Sequence, residues 1–235
     1  MKDSGAADRA PLDELGSVLA APARLRIIQE LLTGPPLPAG ALAARVGLAP
    51  STVSSHLARL AEARLIRVDQ VGRARLAQLA DEDVAEAVEA LLRLSGEPAV
   101  SSLSGARRRT ALRAARSCYD HIAGQLGVAL MDAGVRDGWL VAAGGTWVLR
   151  DSSPEHAAQA LGLRLDVVES TRPLVRACTD WTERRPHLAG RVGRAILDAM
   201  LAAGWVQRRR HDRALKVTSM GRERLSVIMG DSSGA

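Results

Sequence analysis

Residues 49–66 read APSTVSSHLARLAEARLI, and this stretch decides the fold. Val53, Leu57 and Leu60 stand at i, i+4 and i+7, which gives one apolar stripe of a helix that can seat on a core. The other faces carry Ser51, Thr52, Ser54, Ser55, His56 and Arg59, short hydrogen-bonding groups and one cation. Pro50 suits the first turn, where its missing N–H costs nothing, so a helix is predicted over residues 50–63. Upstream, Ala39–Val46 makes a short helix, and Gly47-Leu48-Ala49 is a tight connection of helix-turn-helix length. Downstream, residues 67–71 and 74–79 are strand-like around Gly72-Arg73, a hairpin with Arg73 and Arg75 near its tip. Helix, turn, helix and basic hairpin read together as a winged helix-turn-helix. A slim polar face without long carboxylates is what a major groove admits, because serine, threonine and arginine match the donors and acceptors of base edges. A serine-rich surface helix kept only for solubility explains the composition but neither the spacing nor the hairpin.

The longer string ARLRIIQELLTGPPLPAGALAARVGLAPSTVSSHLARLAEARLIRVDQVGRARLAQL, residues 23–79, resembles the DNA-binding domain of the ArsR family of bacterial repressors. The likeness runs from about residue 12 to residue 94, and STVSSHLARLAEARLI is its specific part. It implies a homodimer on a palindromic double-stranded operator, with residues 50–63 reading bases and the first helix joining the one after the wing in the subunit contact. Two departures stand out. Metal-sensing members carry a Cys-x-Cys pair before the recognition helix, where this chain has Pro38 and Gly40. Others carry aspartate and histidine ligands after the wing, where residues 81–94 hold acidic residues but no histidine. Neither family metal site is present.

Composition agrees with that reading without demanding it. The chain has 235 residues, 47% hydrophobic and 25% charged, with a formal net charge of +6. A basic balance points to an acidic partner, and DNA is the simplest one. With no Phe, one Tyr and four Trp, cores must be built from Leu, Val, Ile and Ala. No apolar run approaches the ~18 residues that span a bilayer. The polar start MKDSGAADRAPLDELG has no apolar signal core, so a cytoplasmic protein without a membrane partner is expected. Cys118 and Cys178 lie too far apart for a zinc-finger spacing and are too few for a disulfide framework.

The expected organisation is a tail over residues 1–10, the winged-helix domain over 11–94, a linker over 95–104, a second domain over 105–230 and a tail over 231–235. The fold class is mainly α with small β-hairpins, the second domain being α+β and built on degenerate winged-helix pieces. Helices are predicted at 12–20, 22–33 and 81–94. In the second domain a long helix is predicted over 107–132, with Leu112, Ala115, Tyr119, Ile122, Leu126 and Leu130 on one face. Another helix is expected around Leu174, Cys178 and Trp181, and a third from Pro186 to Ala203. Hairpins are expected around Gly144-Gly145 and His211-Asp212, because strand, turn, strand, polar cap and helix recur in LIRVDQVGRARLAQLADEDV, GWLVAAGGTWVLRDSSPEHA and GWVQRRRHDRALKVTSMGRE.

No catalytic constellation is legible. Cys178, His187 and Asp180 lack an oxyanion-hole loop, and no phosphate loop or carboxylate pair appears. A binding protein rather than an enzyme is therefore expected, with no cofactor. Cys118 and His121, at i and i+3 of the predicted helix, share a face, and a soft metal, haem or a redox thiol would suit them. Two ligands do not close a site; Cys178 or His187 would have to supply a third. Free cysteines are most often small buried hydrophobes, so the residues read as no metal site, zinc included. Cys118, Tyr119, His121, Cys178 and Trp181 are expected instead to line a small-molecule or thiol-reactive effector cavity among the tryptophans. The alternatives are a thiol-redox, metal or haem response at Cys118, His121 and Cys178, or a winged-helix adaptor that binds proteins. The run Arg208-Arg209-Arg210 reads equally as a phosphate contact or a solvated strand end.

Overall fold

A computed structural model describes residues 10–33, 35–95, 103–209 and 212–229. The predicted tails, apart from Ala10, and most of the predicted linker, with Arg210 and His211, lie outside the described residues. The chain divides into two compact units, Met1–Val88 and Glu89–Ala235. The division falls six residues earlier than the end of the expected first domain, inside the helix that follows the wing.

The first unit follows the sequence closely. Helices α1 (Leu12–Leu19), α2 (Pro22–Thr33), α3 (Ala39–Val46) and α4 (Pro50–Glu62) precede strands β1 (Ile66–Val71) and β2 (Ala74–Leu79), and α5 (Glu82–Leu94) comes next. Helix α3 stops at Gly47, whose φ of +69° makes the left-handed turn into α4 without the strain a Cβ would add. The Asp81 carboxylate accepts the Val84 amide hydrogen at 3.0 Å and caps α5. Strands β1 and β2 pair antiparallel from Ile66↔Leu79 to Val71↔Ala74. Leu37 exchanges both backbone hydrogen bonds with Ala77, which ties the approach to α3 onto the wing. Val53, Leu57 and Leu60 of α4 are buried, as are Ile27, Leu31, Leu42, Ile66 and Leu79. This is the aliphatic core that a chain without Phe has to use.

The second unit departs from the sequence reading in two places. The predicted helix over 107–132 is broken. Helix α6 (Leu103–Ala114) ends early, strands β3 (Arg116–Cys118) and β4 (His121–Ala123) form a hairpin, and α7 (Gly124–Arg136) follows. Likewise the residues around Leu174, Cys178 and Trp181 include strand β7 (Arg176–Thr179). Pro186 opens strand β8 (Pro186–Ala189), and helix α9 (Gly190–Ala202) begins only after it. The first misreading has a physical cause. All six residues of β3 and β4 are buried, so the alternation that marks a half-exposed strand is absent. Leu112, Ala115, Tyr119 and Ile122 then mimic a helical stripe. The other elements fall near their expected places: β5 (Leu140–Ala143), β6 (Thr146–Leu149), α8 (Glu155–Leu161), β9 (Val206–Arg208), β10 (Leu215–Val217) and α10 (Ser219–Met229).

These elements make two copies of one pattern. Hairpin β3–β4, helix α7, hairpin β5–β6 and helix α8 are followed by hairpin β7–β8, helix α9, hairpin β9–β10 and helix α10. The copies clasp each other: α7 packs on β8, and α9 packs on β4. Leu126, Leu130, Trp139, Leu188, Val192, Ile196 and Trp205 form their shared core.

Candidate functional site

In the first unit, α4 turns Val53, Leu57 and Leu60 inward and leaves Pro50, Ser51, Thr52, Ser54, Ser55 and Arg59 exposed, with His56 half-buried. The Ser54 hydroxyl donates to the Pro50 carbonyl at 2.9 Å and Ser55 to Ser51 at 3.3 Å. These local bonds occupy the hydroxyl hydrogens but leave acceptor lone pairs facing out. Arg59 pairs with Glu62 at 3.2 Å, both well exposed. The expectation of a face free of long carboxylates therefore needs correcting, since Glu62 lies on the exposed side of the same helix. An exposed i,i+3 pair is worth less than about 1 kcal/mol and yields readily to a stronger partner. At the wing tip Gly72, with φ +59°, makes the turn, and Arg73 and Arg75 are exposed.

The second unit holds a buried polar cluster at the contact of its two copies. The short hairpin β3–β4 sets Cys118 opposite His121, and the longer β7–β8 sets Cys178 opposite His187. One ligand-type atom from each of these four lies within 4.8 Å of the other three, and all four residues are buried. The two imidazoles meet Nε2 to Nε2 at 3.1 Å. Their Nδ1 atoms face carboxylates, His121 towards Asp120 at 3.4 Å and His187 towards Asp180 at 3.7 Å. Burial and the neighbouring His121 hold His187 well below the ordinary imidazole range, so it is neutral with a lone pair to offer. The hydrogen bond to Cys178 and burial push the Cys118 thiol up.

The supports of this cluster are as buried as the cluster itself. Burial raises Asp180, but Arg116 at 2.9 Å, Thr182 and the Gly124 amide together hold it well below the usual carboxylate range. Glu89, carried in by α5, accepts the Cys118 thiol hydrogen at 3.0 Å and stands 3.9 Å from the Cys178 sulfur and 3.7 Å from Arg116. Burial pushes its carboxyl up despite Arg116. Two glycines permit the close fit. A Cβ on Gly127 would stand 2.3 Å from the Ile122 carbonyl oxygen, and one on Gly193 would stand 2.5 Å from that of Leu188. Each would also press on the histidine of the other copy, at 3.4 and 3.3 Å.

The effector residues expected from the sequence are thus partly assembled. Cys118, His121 and Cys178 meet, with His187 as the fourth member, but from facing hairpins rather than one helix. Tyr119 occupies the β3–β4 turn with φ +49°, and Trp181 lies against the Arg116 guanidinium at 5.3 Å. Neither joins the cluster. The tryptophans do not share a cavity: Trp139 and Trp205 fill the core, Trp147 lines a cleft with Pro173 and Leu174, and Trp181 lines another with Arg113 and Gln125. Glu89, Asp120 and Asp180 were missed as members of this site. The signal was a repeat: Arg116, Cys118 and Asp120 are answered by Arg176, Cys178 and Asp180, and HIAGQLG by HLAGRVG. Residues 181–186, present only in the second copy, conceal it.

Comparison with known proteins gives the following. A family described as a helix-turn-helix domain matches residues 19–69. An uncharacterised HTH-type transcriptional regulator of Bacillus subtilis, YdfF, is 35% identical over 210 residues, 89% of this chain and 92% of its own. The HTH-type transcriptional regulator CmtR of Mycobacterium tuberculosis is 41% identical over 83 residues, 35% of this chain and 70% of its own. Among solved structures, the cadmium metal-sensor CmtR from Mycobacterium tuberculosis is 35% identical over 39% of this chain and 99% of its own, with a TM-score of 0.32. Among the described residues, no helix is long and apolar enough to cross a membrane.

Proposed function

The chain belongs to the ArsR family of winged helix-turn-helix transcriptional regulators, which are not enzymes, and on that premise we propose that it is a repressor of a palindromic operator. It binds as a homodimer and leaves DNA when its second unit receives an effector. The observation that carries this is the face of α4. Three apolar residues seat the helix while Ser51, Thr52, Ser54, Ser55 and Arg59 stay exposed, which suits base edges in a major groove. The exposed Arg73 and Arg75 of the wing suit phosphates beside it. Exposed Leu12 on α1 and Leu91 on α5 leave apolar surface for a second copy. Selection from random duplex DNA should recover an inverted repeat with half-sites about one helical turn apart, bound by two chains. A protein that binds all duplexes alike, or binds as a monomer, would refute the operator reading. A winged-helix adaptor would behave in that way.

A further inference from the structure

We propose that Cys118, His121, Cys178 and His187 form a closed four-ligand site for one thiophilic divalent cation of the zinc class. The proposal runs against the expectation of no metal site, under which Cys118 and His121 still needed a third ligand from Cys178 or His187. It stands on the second unit alone and does not depend on the repressor reading.

Zinc–nitrogen bonds of about 2.0–2.1 Å and zinc–sulfur bonds of about 2.3 Å set tetrahedral edges at roughly 3.3 Å between nitrogens and 3.8 Å between sulfurs. The two Nε2 atoms stand 3.1 Å apart, and all four ligand atoms lie within 4.8 Å of one another. Orientation agrees. Both histidines turn Nδ1 towards an aspartate and Nε2 inward, which is how carboxylates aim metal-binding imidazoles. Asp120 is itself held by Arg172, and Asp180 by Arg116 and the Gly124 amide.

The donor set selects the ion. Two sulfurs and two imidazoles disfavour calcium and magnesium, which require oxygen, and suit zinc, cadmium or cobalt(II). Four protein ligands with no outward opening describe a closed site, not one that holds a reactive water. On binding, the cation accepts four dative bonds, two from thiolate sulfurs and two from neutral Nε2 atoms. The two thiol protons go to solvent, and the two thiolate charges neutralise the cation. Glu89, no longer accepting a thiol hydrogen, keeps Arg116 as its partner. The competing account, in which thiols bond to Glu89 and the imidazoles to each other, satisfies single contacts. It does not explain why both copies supply the same cysteine, aspartate and histidine to one point.

The full-length chain, reduced and stripped with chelator, is titrated with cobalt(II) and then with zinc. Saturation at one cobalt per chain is expected, with the visible ligand-field bands of a tetrahedral ion and a thiolate-to-cobalt band in the near ultraviolet, both erased by zinc. Cys178→Ser should lower the thiolate band and weaken binding by more than the roughly 10–100-fold that losing an outer partner costs. Asp120→Asn should keep the stoichiometry and weaken binding within that range. If Cys178→Ser does not fold, X-ray absorption of the wild-type zinc form decides by counting two sulfur and two nitrogen neighbours. A folded, reduced wild type without the tetrahedral spectrum overturns the proposal. So does a spectrum unchanged in Cys178→Ser, or a zinc shell without sulfur.

Discussion

Arg59 and Gly193 show how single residues act here. Arg59 is exposed and pairs with the equally exposed Glu62, so its guanidinium can leave that pair for a base at little cost. Arg59→Ala is expected to weaken operator binding by about 1–3 kcal/mol and to relax preference at one position of each half-site. Fluorescence anisotropy on the operator and its single-base variants measures both, and unchanged affinity with unchanged preference would exclude Arg59 from the groove. Gly193 has the opposite character, since it is buried and its nearest neighbours are backbone atoms of Leu188. An added Cβ meets the Leu188 carbonyl oxygen at 2.5 Å and the His121 Cβ at 3.3 Å. Gly193→Ala should therefore lower stability by about 1–3 kcal/mol, the range for overpacked cores, read from urea unfolding. Gly204→Ala is an informative partner: nothing lies near its added Cβ, but its φ of +71° predicts a loss from backbone strain alone.

At the scale of elements, the wing and the facing hairpins contrast. The β1–β2 wing is a half-exposed ribbon whose tip offers Arg73 and Arg75, and arginines so placed contact phosphates without reading sequence. Arg73→Ala should reduce affinity for operator and random DNA alike and flatten the salt dependence by about one phosphate contact. A loss confined to operator DNA would assign base reading to the wing. Hairpin β3–β4 is buried throughout, and in β7–β8 Cys178, His187, Leu188 and Ala189 are buried, so these side chains meet each other across the contact of the two copies. Arg116 shows what that burial demands. It is the cation beside both Asp180 and Glu89, so Arg116→Met leaves two buried carboxylates without it. A loss of about 3–5 kcal/mol is expected, as when one member of a buried pair is removed. Unfolding monitored by tryptophan fluorescence would show it, since Trp139 and Trp205 lie in the core of this unit, Trp147 packs against that core and Trp181 lies against Arg116.

For the molecule as a whole, two compact units imply two unfolding transitions, and a bound cation should act on one of them. Free zinc at a hundredfold excess over its dissociation constant stabilises the form that binds it by about 2.7 kcal/mol. Calorimetry with zinc and with chelator should therefore move the transition of the second unit and leave that of the winged-helix unit in place. A shift of both transitions together would show that the units unfold as one.

The sequence by itself determined the winged-helix unit. Its helices are amphipathic and its wing half-exposed, so periodicity reports which face is buried. Gly47, Pro50 and Asp81 mark its boundaries through local backbone chemistry. Periodicity fails where both faces of an element are buried. Strands β3 and β4 are such elements, which is why Cys118 and His121 read as neighbours on a helix. Only the tertiary structure decided that they face Cys178 and His187, because that meeting depends on two copies packing helix against hairpin. The repeat that encodes it was present in HIAGQLG and HLAGRVG. What those letters could not show is that the copies face each other, since a sequence records which side chains recur and the fold alone records where they converge.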